Sequence, residues 1–254
     1  MQLFSSYRTR FANDIVAEFA PASRLSSRKV AILAAGCPGY PGGKTELMRL
    51  LARHGYWSFV PMYRGSWESR GEFLAVSPHE DLIDVMDGVE KGFYELWGGT
   101  EYQIKDPEFY LIGGSFGGAA ALLASRDERV KKAVSISGVV DWREQENTLE
   151  PLKLMSEYLP SAFGMGYRTH PDAWKRLAEG NFYNPINAKD ELDPKKLLLI
   201  HAKDDRVVHA HPARSLAKAI GASYAELQRG GHMGVGSAKK PHIWKRIRKH
   251  FLAR

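Results

Sequence analysis

The stretch Tyr110-Leu111-Ile112-Gly113-Gly114-Ser115-Phe116-Gly117-Gly118-Ala119-Ala120-Ala121 decides how this chain is read. An apolar run of strand type passes through Gly-x-Ser-x-Gly into a run of small helix-forming residues. A strand-to-helix turn this tight leaves no room for side chains at Gly113 and Gly117, while Ser115 sits at its apex with the hydroxyl projecting outward. The helix that follows aims its first N–H groups at the same spot. The five-residue pattern alone is a weak signal, and the strand before it and the helix after it make it strong. Ser115 is therefore the candidate nucleophile, and the N–H of Phe116 is a candidate donor to an oxyanion.

Working outward, apolar runs of buried-strand type recur at residues 30–34, 58–60, 110–112, 133–136, 197–200 and 224–227. Most are separated by one amphipathic helix. Leu47, Leu50 and Leu51 form a stripe that stops at Gly55. Leu82, Met86, Val89, Phe93 and Leu96 form another behind Ser77-Pro78-His79-Glu80, which reads as a capping box with proline at the first helical position. This alternation predicts an α/β fold, a mostly parallel sheet with helices on both faces. Residues 10–19, with Asn13-Asp14 in their middle, predict an antiparallel hairpin at the sheet edge. Two insertions interrupt the alternation: the polar loop 64–71, and residues 142–190, rich in aromatics and prolines, which predict a small helical cap. Residues 1–254 are read as one domain without internal repeats.

A serine hydroxyl needs a base, and partners follow in the order this topology requires. The run at 197–200 leads into His201-Ala202-Lys203-Asp204-Asp205-Arg206, and the run at 224–227 leads into Arg229-Gly230-Gly231-His232. Both groups fall at carboxyl ends of strands, where open α/β sheets place ligands. His232 is assigned as general base and Asp205 as the carboxylate that orients it, with Asp204 and Asp141 as competing acids. The second oxyanion donor is expected in Ala35-Gly36-Cys37-Pro38-Gly39-Tyr40. Cys37 N–H is preferred because Gly36 permits close approach and Pro38 has no N–H, and the Tyr40 hydroxyl is the alternative. Arg64, after the run at 58–60, is a candidate anchor for a substrate carboxylate or a brace for its own loop. Trp142, Tyr158, Phe163, Tyr167, Trp174, Phe182 and Tyr183 are expected to fill the cap, with one or two, Trp142 first, lining the acyl pocket.

Composition excludes several classes. The chain is 44% hydrophobic and 26% charged, with a mean hydropathy of -0.36, which rules out a disordered chain. No apolar run approaches the roughly 18 residues that span a bilayer, and Met1-Gln2-Leu3-Phe4 does not open a signal peptide. One cysteine, Cys37, excludes an internal disulfide or a cysteine-cluster metal site, and a cytoplasmic location is expected. The net charge of +7 equals the seven bases between residues 239 and 254, where there is no acid, so the body is neutral. Ile243, Trp244, Ile247 and Phe251 fall at helical spacing in that segment, which predicts a docked terminal helix with a solvated basic face rather than a nucleic-acid or membrane partner. The glycine-rich loops lack the endings that bind nucleotides, and His209 and His211 face apart on a helix. No metal or other cofactor is expected.

On the residues quoted, the sequence resembles the α/β-hydrolase superfamily over nearly its whole length, and within it the catalytic domain of the prolyl-oligopeptidase group. The narrower resemblance rests on residues 113–118, on Gly138-Val139-Val140-Asp141-Trp142, on Asn184-Pro185, on the spacing of His201, Asp205 and Val208, and on Gly231-His232. It implies Ser115, Asp205 and His232 as a triad. The group's His-Gly before the oxyanion loop is Ala35-Gly36 here, and no propeller is expected before the domain, so the resemblance leans toward the small stand-alone esterases. The function expected is a serine hydrolase acting on small, short-acyl carboxylic esters, the alternatives being an exo- or oligopeptidase and a non-catalytic binding protein of the same fold. The oligomeric state is left open.

Overall fold

The computed structural model describes residues 5–253, the side chains of Glu146 and Asn147 excepted. Met1 to Phe4, on which the leader reading rests, and Arg254 of the basic tail lie outside the described residues. The main sheet has eight strands in the order β1-β2-β4-β3-β7-β8-β9-β10. They are β1 (Tyr7–Phe11), β2 (Ile15–Ala20), β3 (Lys29–Ala34), β4 (Trp57–Pro61), β7 (Glu108–Gly114), β8 (Val130–Ile136), β9 (Leu197–Ala202) and β10 (Ser223–Leu227). From β4 to β10 every pairing is parallel, and the β1–β2 hairpin adds antiparallel to β4. Ala12 and Asn13 at its tip have positive φ, a backbone state that asparagine tolerates. A second, two-stranded sheet pairs β5 (Phe93–Tyr94) with β6 (Glu101–Tyr102).

Two-sided burial explains why the central strands read as continuous apolar runs. Successive side chains alternate between faces: Val30, Ile32, Phe109, Leu111, Leu197 and Leu199 join one core, while Ala31, Leu33, Tyr110, Ile112, Leu198 and Ile200 join the other. Helices α1 (Thr45–Arg53) and α7 (Pro241–Leu252) cover the second face, through Leu47, Met48 and Leu51 and through Ile243, Trp244, Ile247 and Phe251. Helices α2 (Pro78–Lys91), α3 (Phe116–Ala124) and α6 (Ala210–Ile220) cover the first. Trp244, 9% exposed, packs edge-on to His54, so the apolar face of the basic terminal helix is committed to the core. Among the described residues no helix is long and apolar enough to cross a membrane.

Two local expectations are corrected. Residues 77–80 do not form a capping box: the Ser77 hydroxyl lies 2.7 Å from His79 Nδ1 and makes no cap bond, although Pro78 does open α2. The apolar stripe stops being helical at Gly92, whose φ of 94° ends the helix. Phe93 is buried from strand β5, stacked on Tyr102, and Leu96 lies exposed beyond it. Residues 142–190 contain α4 (Leu152–Phe163), α5 (Pro171–Ala178) and short 3₁₀ turns at Trp142–Asn147, Gly164–Gly166 and Pro185–Glu191.

Candidate active site

Ser115 sits between β7 and α3 with φ 55° and ψ −125°, a conformation that costs of order 1–3 kcal/mol and persists only where its surroundings enforce it. Those surroundings have no spare volume. A Cβ on Gly113 would come 2.0 Å from the Gly117 carbonyl oxygen, and one on Gly117 would come 2.2 Å from that of Ala34. Phe116 opens α3, so its N–H has no intrahelical acceptor and points into the N-terminal field of the helix. Tyr183 fixes the same residue by donating its hydroxyl to the Phe116 carbonyl at 2.6 Å.

Asp205 and His232 meet across two loops. His232 Nδ1 lies 3.0 Å from Asp205 Oδ2 and 3.2 Å from Oδ1. The carboxylate, in a residue 4% exposed, also accepts the N–H groups of Val207 and Val208, each at 3.0 Å. Buried His201 stands on its other side, with Nε2 3.3 Å from Oδ2 and 2.9 Å from the Val208 carbonyl oxygen. Burial pushes the Asp205 carboxyl up, but hydrogen bonds from His201, His232 and Val208 outweigh it and hold the group far below the usual carboxylate range. The group is thus held as an anion facing His232 Nδ1.

The His232 loop rests on the Ser115 turn. Met233 N–H donates to Ser137 Oγ at 3.3 Å, and a Cβ on Gly114 would come 2.1 Å from Val235 N. The competing acids have other duties. Asp204 accepts the Gly231 N–H at 2.9 Å and so braces the histidine loop. Asp141 pairs with Arg143 and Asn184 at the start of the cap.

Ser115 opens onto a cleft of about 370 Å³, lined by Cys37, Phe116 and Trp142 together with cap residues and the loop carrying Val207 and Val208. Cys37 and Ser115 thus line the same cleft. Its loop is held from the cap: the Gly39 N–H donates to the Tyr167 hydroxyl at 2.8 Å. Trp142 is buried, with Nε1 donating to the Tyr183 carbonyl at 2.5 Å.

Two candidates are displaced. Tyr40, 57% exposed, packs on Trp67 and Phe163 and lines a separate cleft beyond Gly36, away from the Ser115 cleft. Arg64 does not serve as a free substrate anchor: its guanidinium is bound by Asp14 at 2.8 Å, by Asp84 at 2.5 Å and by Asp81, which makes it a brace for the loop after β4. Its neighbour Asp14, in the turn of the hairpin, had no pattern to announce that pairing. Trp174, one of the aromatics expected to fill the cap, lines the cleft beside Trp142, whereas His201, Gln145 and Glu150 were given no role from the sequence. His201 carries a spacing signal in the His-x-x-x-Asp pattern, whereas Gln145 and Glu150 carry none.

The doubly covered parallel sheet, the serine at its central strand-to-helix turn and the acid and histidine at later strand ends define an α/β hydrolase. A model of the prolyl oligopeptidase family matches residues 45–253, and the chain belongs to that family, whose members are hydrolases. No curated protein sequence matches it. Among solved structures the chain is similar to the acylaminoacyl peptidase of Pyrococcus horikoshii, with 17% identity and a TM-score of 0.67 over 98% of this chain and 40% of that one. It is likewise similar to the Pyrococcus furiosus esterase Pf2001, with 14% identity and a TM-score of 0.66 over 98% and 90%. The α/β hydrolase GrgF from Penicillium sp. sh18 gives 14% and 0.69 over 98% of both chains. The chain thus spans about two fifths of the peptidase and nearly all of the two smaller proteins.

Proposed function

We propose that the protein is a serine hydrolase that cleaves small, short-acyl carboxylic esters through an acyl-enzyme. The observation that carries this reading is the hydrogen bond from His232 Nδ1 to a buried, anionic Asp205, made on the loop that packs against the Ser115 turn. That bond fixes the tautomer in which Nε2 accepts a proton. Ser115 Oγ attacks the acyl carbon while His232 takes its proton, and the N–H groups of Phe116 and Cys37 receive the oxyanion. The proton passes to the departing alkoxide, and water deprotonated by His232 then attacks the acyl-enzyme and releases the acid and the serine. The apolar lining and size of the cleft support a short acyl group.

The family match favours a second reading, an exo- or oligopeptidase working with the same residues. We further infer a cytoplasmic enzyme acting on a small molecule, without nucleic-acid or membrane partners. Labelling by a fluorophosphonate that is lost in Ser115→Ala supports the nucleophile. Comparing ester with aminoacyl-anilide turnover separates the two activities, and equal labelling of wild type and variant refutes the serine assignment.

A further inference from the structure

Resting on the serine-hydrolase reading, we propose that the cleft beyond Gly36 receives the alcohol part of the ester, and that this alcohol is a neutral ring bearing neighbouring hydroxyl groups, as in a monoacylated sugar. Glu18 and Arg8 hold the hydroxyls, and Tyr40 covers the apolar face of the ring.

This second cleft has a volume of about 370 Å³. Gly36 lines it and also touches the serine: a Cβ on Gly36 would come 3.3 Å from Ser115 Cβ and 3.8 Å from Ser115 Oγ. An ester whose acyl group fills the cleft of Val139 and Trp142 must send its alcohol out of that cleft, and across Gly36 a hollow stands one residue away. A buried charge marks the hollow. Glu18 is 6% exposed and lines it, yet among the described residues its Oε2 has no hydrogen-bond partner. Arg8, its neighbour across the β1–β2 hairpin, brings Nη1 to 3.6 Å, an ion pair too long to be a hydrogen bond. A buried carboxylate oxygen without a donor is uncommon and costly. In the wall of a cleft far larger than the roughly 30 Å³ of a water molecule, it is placed to accept from a ligand.

Charge selects the ligand. Arg8 and Lys44 already supply Glu18 with two cations; the Lys44 ammonium is held on the Tyr40 carbonyl at 2.8 Å, and Glu18 opposes the fall in its pKa that burial causes. A third cation meets both of them and an anion meets Glu18, so a neutral donor fits best. Neighbouring hydroxyls answer both side chains, one donating to Glu18 and the next accepting from Arg8. The cleft's own hydroxyls are engaged elsewhere: that of Tyr63 donates to the Ala35 carbonyl at 3.1 Å, that of Ser66 to the Tyr63 carbonyl at 2.7 Å, and that of Tyr167 accepts the Gly39 N–H. Tyr40 lines the cleft as an exposed ring steadied by Trp67 and Phe163, a platform for the C–H face of a sugar. An apolar alcohol in the same place desolvates Glu18 and gives it nothing in return, so the carboxylate also selects against such alcohols.

The test compares 6-O-butyryl-D-glucose with cyclohexylmethyl butyrate, which has the same acyl group and the same ring size without hydroxyls. Wild type should favour the sugar ester by roughly thirtyfold in kcat/KM, mainly through KM. Glu18→Gln, which keeps the shape and removes the charge, should cut that ratio about tenfold. Taking a ratio of two esters on one preparation cancels any loss of folded enzyme. Where Glu18→Gln yields no folded protein, Tyr40→Ala, which removes an exposed ring, carries the test and should cut the ratio about threefold. A wild-type ratio of one or less, or a ratio unmoved by Glu18→Gln or, in its place, by Tyr40→Ala, overturns the proposal. Turnover or fluorophosphonate labelling without a preference for the sugar ester sinks this inference alone. Absence of turnover on both esters together with absence of labelling sinks the hydrolase reading with it.

Discussion

His232 Nδ1 stands 3.0 Å from Asp205 Oδ2, a contact between residues 27 positions apart that reach each other from the ends of adjacent parallel strands. Asp205 is held from behind by two backbone N–H groups and by His201, so its direction is set before substrate arrives. Asp205→Asn should therefore cut turnover by roughly 10³- to 10⁴-fold by stabilising the wrong histidine tautomer, whereas Asp204→Asn, which loosens one loop hydrogen bond, should cost far less. If kinetics of the two variants show the opposite order, or if Asp141→Asn is the damaging change, the acid is misassigned.

The same hydrogen bonds make Asp205 a source of pH-dependent stability. Its folded pKa lies below its unfolded one, so the contribution is fully present above the unfolded value near 4 and is lost as pH falls toward the folded value. Thermal melts should show wild type losing stability in acid more steeply than Asp205→Asn. Parallel curves would contradict the depressed carboxyl.

Ser115→Ala should abolish fluorophosphonate labelling and lower turnover by several orders of magnitude, because the triad acts as a unit. Its far-ultraviolet circular dichroism should match the wild type, since the turn is shaped by Gly113 and Gly117. Retained labelling would move the nucleophile elsewhere.

Arg64→Gln should act on stability and not on substrate affinity. It leaves the buried Asp81 carboxylate without its cation, a change that costs about 3 kcal/mol. Denaturant melts and KM on the best ester decide the matter, and a raised KM with an unchanged melt would restore Arg64 as a substrate anchor.

Acyl length offers a further check on the cleft. Within a p-nitrophenyl ester series from two to sixteen carbons, kcat/KM should rise by up to about 0.8 kcal/mol per buried methylene and peak near four carbons, where the cleft is full. A maximum at twelve or more would refute the small-cleft reading.

The sheet was legible because burial on both faces turns each central strand into an unbroken apolar run, and the placement of Ser115, Asp205 and His232 past strand ends was legible because each follows such a run. What depended on tertiary capture was not. The Ser77 hydroxyl is taken by His79 instead of a helix N–H, Phe93 leaves the helix at Gly92 to enter an aromatic cluster, and Arg64 is claimed by carboxylates from the hairpin turn and α2. Gln145 and Glu150 reach the cleft by the path of the cap, which no periodicity in the sequence records.

Tyr167 supports the loop carrying Cys37 from 128 positions later in the chain. Ribosomal synthesis therefore delivers the oxyanion loop long before the hydroxyl that holds it, and the hairpin and first parallel strands can assemble while that loop still lacks its brace. A nascent chain halted before residue 142 has Ser115 in hand but lacks Tyr167, Asp205 and His232, so on the triad proposed above the serine is without its base until the loop after β10 has emerged. On that proposal, the order in which residues leave the ribosome keeps the serine idle until His232 has followed it out and folded against its turn.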